Sequence, residues 1–322
     1  MGKFASLYDT HVAVDAQHLR VGVELALSKG LTALTLRSGA LGAKPGLVDL
    51  SPLRDFPGLR DLGISVEVDS FKDIDALYES DVTELSIMDR IGSEIDIARV
   101  PNLEILSFES QPKVRNAFAA NDIRRLSVWH YKGTDLAEVS ALENLTYLTF
   151  VQSSIKSLEG IQKLARLKEL NVAYCRSLAD VAALDGIASL EKVKFEKVPK
   201  VPPVLNATLP NLRELEWGVN IPNVGIIAGF PSLESFVFAS CADDDLSGLL
   251  DHPNLRRVRF YPDKKSYSHT SEDINFLLTS RWEGVEAAVA HARHTEYMGG
   301  RFMSHIGLRE RIANGEFDTF PH

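Results

Sequence analysis

The stretch LTYLTFVQSSIKSLEGIQKLARLKELNV, residues 145–172, contains one pattern twice. LTYLTF opens it, and LKELNV follows after 22 residues with apolar side chains at the same three places. The pattern apolar-x-x-apolar-x-apolar recurs along much of the chain, at steps of 20–23 residues from residue 59 onward. Its first residues are Leu31, Leu59, Val82, Leu103, Ile123, Leu145, Leu167, Leu190, Leu212, Leu233 and Leu255.

A period of this length with this core is typical of leucine-rich repeats. From about Leu31 to Tyr261 the chain resembles that family, and its units are most similar to the short repeats of bacterial internalin-like proteins. The predicted fold class is an α/β solenoid. It is a leucine-rich-repeat horseshoe with a parallel concave β-sheet of about eleven strands, an irregular or short-helical convex side, and helical caps at both ends.

The repeat also predicts which side chains are buried. Positions 4 and 6 of each unit point the same way on a short strand, and only stacked units can bury them. Position 9 is expected to turn inward, so both cysteines are predicted to be structural. The residues at this position are Ser153, Cys175, Asn220, Cys241 and Asp263. Earlier units carry Glu67, Arg90, Gln111 and Tyr131 there and are expected to be less regular.

Three segments are predicted along the chain. Residues 1–30 form an N-terminal cap, with a helix over 15–29 that stops at Gly30. Residues 31–262 form the repeat array. Residues 263–322 form a C-terminal helical cap and tail, with one helix starting near Thr270 and a second over 282–298.

Composition excludes several function classes. The chain has 35 basic and 44 acidic residues, which argues against nucleic-acid binding. No apolar run reaches the roughly 18 residues of a membrane span, and the first residues lack the apolar core of a secretory signal. We therefore expect a cytoplasmic, monomeric protein that binds neither nucleic acid nor membrane, with export by another route left open.

Positions 3, 5 and 7 alternate with the core and are predicted to face the concave surface, where such solenoids usually bind. Exposed aromatic side chains beside an arginine are typical of protein-binding hot spots. The alternative is that Trp129 folds over the strand ends or is covered by a loop. The predicted partner-binding residues, expected to be exposed and adjacent, are Met88, Ile105, Arg125, Trp129, Tyr147 and Val151.

Charged residues on the later strands are predicted to behave in two ways. Lys192 and Glu214 at position 3, and Lys194 and Glu216 at position 5, are expected to form ion pairs between neighbouring strands. Arg257, Arg259 and Tyr261 form a second candidate patch. They would either contact an acidic partner or pair with the C-terminal cap.

We predict no catalytic site, metal site or cofactor. His291 and His294 share a helical face but lack a third ligand, and neither a phosphate-binding glycine loop nor a G-x-S-x-G motif is present. The predicted function is non-catalytic docking of a protein of unknown identity on the concave face, for example by an immunity or regulatory protein. The alternatives are an exported effector or surface adhesin that binds a host protein, and an enzyme activity within residues 263–322.

Overall fold

The computed structural model describes residues 4–39, 45–120 and 122–290. The chain divides into two compact units, Met1–Ile155 with Lys163–Leu167 and Lys156–Gln162 with Lys168–His322. His291, His294 and the second part of the predicted helix, 291–298, lie outside the described residues. Helical turns cover 285–290, within the part of that predicted helix that the structure describes.

The first unit consists of short strands and two α-helices. In chain order they are β1 (Ala5–Leu7), β2 (Val12–Asp15), α1 (Leu19–Lys29), β3 (Ala33–Arg37), β4 (Leu47–Asp49), β5 (Asp61–Ser65), β6 (Ser70–Lys72), α2 (Asp75–Tyr78), β7 (Glu84–Ile87), β8 (Ile95–Asp96), β9 (Ile105–Glu109), β10 (Val114–Arg115), β11 (Arg125–Trp129) and β12 (Tyr147–Val151). The main sheet has the order β1-β2-β3-β5-β7-β9-β11-β12. Its pairings are parallel except β1–β2, and β4–β6 and β8–β10 form separate parallel pairs.

The second unit continues the same type of repeat. Its elements are β13 (Glu169–Ala173), β14 (Lys192–Glu196), β15 (Glu214–Ile221), β16 (Ser235–Cys241), α3 (Gly248–Asp251), β17 (Arg257–Phe260) and α4 (Ser271–Glu283). The five strands pair in parallel in that order. All eleven predicted repeat strands are thus present. Among the described residues the repeat pattern failed to predict six further strands, which are β1 and β2 in the main sheet and β4, β6, β8 and β10 outside it.

Side chains at positions 4 and 6 form the core of each unit. In β11 and β12, Leu126 lies opposite Leu148 and Val128 opposite Phe150, and all four are fully buried. Every residue at these two positions in the eleven repeat strands is at most 4% exposed. Each large apolar side chain buried in this way contributes roughly 1.5–3 kcal/mol, so the repeat period itself defines the core.

The connections between strands are irregular and carry short 3-10 helices, as the predicted fold class requires. These helices are Ala16–His18, Ser51–Asp55, Ile97–Arg99, Val139–Ala141, Ile161–Lys163, Ala182–Leu184 and Val224–Gly229. Apolar residues such as Val139, Leu142 and Leu184 are buried in or beside them. The predicted leucine-rich-repeat fold class is therefore confirmed by the geometry of each unit.

Both ends of the repeat series are covered. At the start, α1 ends where Gly30 adopts a left-handed φ of 64° and its N–H bonds to the last helical turn. At the other end, Thr270 and Asp273 form a reciprocal capping box that begins α4. Helical caps at both ends are thus confirmed, and the N-terminal one also contains the β1–β2 hairpin.

Position 9 turns inward in only part of the chain. Ser153, Cys175 and Cys241 are buried there as predicted, and Ser153 Oγ accepts a hydrogen bond from the backbone N–H of Tyr131 at 3.1 Å. In an earlier unit the longer side chain of Gln111 also bonds to the backbone of the preceding repeat, because its Oε1 accepts a hydrogen bond from the N–H of Ile91 at 3.0 Å.

For two residues at position 9, Asn220 and Asp263, the prediction that the side chain turns inward is wrong. Asn220 is exposed because a bulge between Trp217 and Asn220 shifts the register, so that Ile221 is the buried residue opposite Cys241. Asp263 is also exposed. Tyr267 takes over its role, since its hydroxyl accepts from the N–H of Cys241 at 2.9 Å.

The edge strand β17 is protected by a side chain of α4. Asn275 Oδ1 accepts from the N–H of Val258 at 2.9 Å, and its Nδ2 donates to the carbonyl of the same residue at 2.7 Å. Trp282 Nε1 also donates to the carbonyl of Leu255 at 2.9 Å. The helix thus supplies bonds that a further strand would have made, which protects a strand edge from pairing with another chain.

We predict that Asn275→Leu lowers the free energy of unfolding by about 1–3 kcal/mol, because the edge amide and carbonyl of Val258 lose their partners. Chemical denaturation measures the loss, and hydrogen exchange at the Val258 amide should quicken. Thr279→Val, on the same helix, is the control and should change stability little. Equal stability of Asn275→Leu and the parent would contradict this role.

Candidate protein-docking face

The predicted docking residues lie on one side of the first unit's sheet. We call the side chains at positions 3, 5 and 7 of β3, β5, β7, β9, β11 and β12 the outward face. Ile105, Arg125 and Tyr147 occupy position 3 on three neighbouring strands, and Trp129 lies opposite Val151 at position 7. The structure therefore brings together five of the six residues in direct strand register. The sixth, Met88, directly follows β7.

These side chains differ from the expected exposure. Arg125 is exposed, whereas Met88, Ile105, Trp129, Tyr147 and Val151 are half-buried. Parallel strands lie about 4.8 Å apart, so large neighbours at one position cover one another. The face therefore presents a partly desolvated apolar surface instead of isolated aromatic rings in water.

Arg125 and Tyr147 form a preorganised pair on this face. The guanidinium carbon lies 4.0 Å from the centre of the Tyr147 ring. Such a cation–π contact fixes the orientation of both groups. The guanidinium of Arg125 is thereby held toward Tyr147 on the neighbouring strand β12.

The floor of the face is built from small hydroxyl side chains. Ser107, Ser127 and Thr149 occupy position 5 on β9, β11 and β12. Thr149 is only 5% exposed, and its hydroxyl has no hydrogen-bond partner among the described residues. Buried hydroxyl groups in proteins normally have a hydrogen-bond partner, so this hydroxyl is an unsatisfied polar group on the outward face.

An acidic pair extends the position-3 row in the other direction. Asp61 on β5 lies in register with Glu84 on β7, and both side chains are half-buried. Burial raises the pKa of both carboxyl groups, and the charge of Asp61 raises the pKa of Glu84 further. His11 opposes the effect at Asp61 and Arg125 opposes it at Glu84, but neither carboxylate forms an ion pair among the described residues.

The turn after β11 holds His130 firmly. Its Nδ1 lies 2.9 Å from Glu109 Oε1 and its Nε2 lies 2.8 Å from Gln152 Oε1. His130 and Gln152 have left-handed φ values of 56° and 50°, which are uncommon for residues other than glycine. The next residue, Tyr131, instead packs inward against Phe150 with ring centres 5.4 Å apart. The sequence pattern gave no indication of this turn geometry.

The ion pairs predicted on the later strands are present in the second unit. Lys192 Nζ lies 2.7 Å from Glu214 Oε2, and Lys194 Nζ lies 3.3 Å from Glu216 Oε2. Partly exposed pairs of this kind contribute under about 1 kcal/mol each. They neutralise that part of the sheet instead of leaving charge for a partner.

The second candidate patch lies at the end of the second unit. Arg257 and Arg259 are exposed on β17, and Tyr261, which follows the strand, is 85% exposed. Among the described residues neither arginine forms an ion pair, so their pairing with the C-terminal cap is not seen in that part of the chain. The neighbouring Arg256 does contact the cap, because its guanidinium carbon lies 4.4 Å from the Trp282 ring centre.

Neither cysteine is placed for chemistry. Both Cys175 and Cys241 are fully buried. Burial raises the pKa of the Cys241 thiol to about 12, and a hydrogen bond with Asp243 adds to the effect. Within the described ranges, no group of three or more His, Cys, Asp or Glu side chains could hold a metal ion.

In the part of the chain that the structure describes, none of the helices is long and apolar enough to cross a bilayer.

The chain is similar in structure to bacterial leucine-rich-repeat proteins. The internalin inlF of Listeria monocytogenes is 16% identical, with a TM-score of 0.47 over 76% of this chain and 74% of that chain. Internalin C2 of the same organism is 16% identical, with a TM-score of 0.39 over 60% of this chain and 81% of that one. A leucine-rich-repeat protein of Leptospira interrogans is 14% identical, with a TM-score of 0.46 over 80% and 78%.

No family model matches the chain, and neither does any curated protein. The class of protein is defined by the strand register and the buried repeat positions described above. By that geometry the chain has a leucine-rich-repeat fold with a short repeat.

The acidic pair yields a pH-dependent prediction. An acid whose pKa is higher in the folded than in the unfolded state destabilises the fold once it is ionised. The cost is absent below the unfolded pKa and grows as pH rises through the raised folded value. We therefore predict that Asp61→Asn with Glu84→Gln raises the Tm at pH 7 by about 2 °C, whereas the difference disappears near pH 3.5.

The control for this measurement carries the same change in charge. Glu24→Gln with Glu143→Gln removes two exposed carboxylates that have no ion pair among the described residues. This variant should melt like the parent at both pH values in a calorimetric scan. A lower Tm for the Asp61 and Glu84 variant at pH 7 would show that the pair stabilises the free protein.

Proposed function

We propose that this chain is a non-catalytic recognition module that binds a partner protein on the outward face of its first unit. The docking residues are Met88, Ile105, Arg125, Trp129, Tyr147 and Val151. Binding covers a surface of the partner, as an immunity or regulatory protein does, and involves no covalent chemistry.

One observation carries this proposal. An aromatic and apolar cluster lies in strand register on a rigid sheet, with Arg125 held over Tyr147 at 4.0 Å. Tryptophan, tyrosine and arginine are the residues most enriched in protein-binding hot spots. Because the sheet fixes the backbone positions of these residues, binding would cost little conformational entropy for ordering their side chains.

The polar groups of the same face favour binding over catalysis. Ser107, Ser127 and Thr149 have no base beside them in the position-5 column, which holds only small side chains across the first unit. A nucleophilic hydroxyl requires a base within hydrogen-bonding distance. The face therefore supports recognition, with its hydroxyl groups available for hydrogen bonds.

We predict that Trp129→Ala weakens partner binding about thirtyfold, because a central aromatic anchor contributes about 2 kcal/mol. The partner is captured from the native cell on the immobilised chain, identified by mass spectrometry, purified, and titrated by calorimetry. Trp129→Ala with Tyr147→Ala should bind more weakly still.

Lys192→Ala is the matched surface control, because it removes a partly exposed ion pair of the second unit. It should bind like the parent. All variants should keep the circular dichroism spectrum of the parent. Equal loss of binding in Lys192→Ala and Trp129→Ala, or unfolding of Trp129→Ala, would contradict the proposal and direct attention to Arg257, Arg259 and Tyr261.

A further inference from the structure

The acidic pair and Tyr147, one of the predicted docking residues, belong to one row of side chains. Asp61, Glu84, Ile105, Arg125 and Tyr147 occupy position 3 on five neighbouring strands. At about 4.8 Å per strand, Glu84 lies three strands or roughly 14 Å from Tyr147. The outward face thus has an acidic end and an aromatic end within the reach of a single binding segment.

We propose that this face selects a partner protein that presents a lysine or arginine side chain roughly 15–20 Å from an apolar anchor. The cation binds Asp61 and Glu84, and the anchor packs against Trp129 and Tyr147. This proposal rests on the proposed function, and it adds the chemical character of the partner.

Charge complementarity is the first argument. Two half-buried carboxylates lie side by side, and neither has an ion pair among the described residues. Arg125, the cation of the same row, is stacked on Tyr147, with Ile105 on the strand between it and Glu84. A basic side chain from a partner would neutralise both acids through charge-assisted hydrogen bonds, while an acidic one would be repelled.

The position of Arg125 also determines where a cation can bind. Its guanidinium occupies the aromatic end of the row, so a second cation placed there would be repelled. A partner cation is therefore directed to the Asp61 end, where only the charge of His11 lowers the pKa of the carboxyl group against the effect of burial. The face can in this way distinguish the orientation of a bound segment.

The unpartnered hydroxyl of Thr149 is an independent argument that the face is completed by a ligand. Thr149 lies between Tyr147 and Val151 on β12, on the outward side of the strand, and is 95% buried. A polar group of a partner that enters between these two side chains would supply the missing hydrogen bond. Such completion is expected at a binding surface.

A random-peptide library displayed on phage tests the proposal with the full chain immobilised as target. Enriched peptides should share a lysine or arginine together with an aromatic or large aliphatic residue. The best peptide, synthesised with a fluorescent label, should bind Asp61→Asn with Glu84→Gln at least about tenfold more weakly than the parent in anisotropy titrations. Salt should weaken parental binding more than that of this variant.

Glu24→Gln with Glu143→Gln is the control for net charge, and it should bind the peptide like the parent. Equal weakening of both double variants would overturn the proposal, because the peptide would then respond only to overall charge. Enrichment of peptides without a basic residue, or of none at all, would also overturn it.

Trp129→Ala separates this proposal from the function on which it rests. If the enriched peptides lack a basic residue but bind Trp129→Ala more weakly than the parent, the proposed docking face would stand and its preference for a cation would be rejected. If the enriched peptides are basic and their affinity depends on Asp61 and Glu84 but not on Trp129, the acidic site would stand and the aromatic anchor would be rejected. Circular dichroism on each variant confirms that the fold is intact.

Discussion

Each repeat can bury its position-4 and position-6 side chains only by stacking on its neighbours. This requirement determines most of the structure. It fixes the parallel register, since a slip of one residue would turn Leu126 and Val128 to solvent. It also makes the end repeats incomplete, which explains why α1 covers the start and why Asn275 and Trp282 of α4 bond to backbone groups of the last repeat.

The same requirement leaves positions 3, 5 and 7 free to carry residues that do not stabilise the fold. In the second unit these positions hold the ion pairs Lys192–Glu214 and Lys194–Glu216, together with Arg257 and Arg259, which form no ion pair among the described residues. In the first unit they hold Asp61 and Glu84, whose ionised forms are unfavourable, and Thr149, whose hydroxyl lacks a partner. Burying a charged or unpartnered polar group costs free energy, so the stability of the fold alone does not account for these three residues.

The sequence predicted what depends on periodicity. The eleven repeat strands, their buried faces and the ion pairs between neighbouring strands all follow from a period near 22 residues. Periodicity could not predict local departures from the repeat. The bulge before Asn220 exposes a residue that was assigned to the interior, and the N–H of Cys241 bonds to Tyr267, four residues beyond the Asp263 position that the repeat pattern gives. The candidate site was only partly predictable. Periodicity gave the neighbours of Trp129, but half-burial of the aromatic residues and the desolvated acidic pair depend on side-chain packing across strands.

The central claim is that one register both buries the core and presents the docking face. Single cysteine substitutions at five successive residues of β11, from Arg125 to Trp129, test it most directly through the rate of labelling with a maleimide. Cys175 and Cys241 are fully buried, so the background should be slow. The account predicts fast labelling at 125, 127 and 129, slow labelling at 126 and 128, and protection of only the fast positions when a partner or selected peptide is bound. Uniform rates, the opposite alternation, or a bound partner that protects none of the fast positions would contradict it.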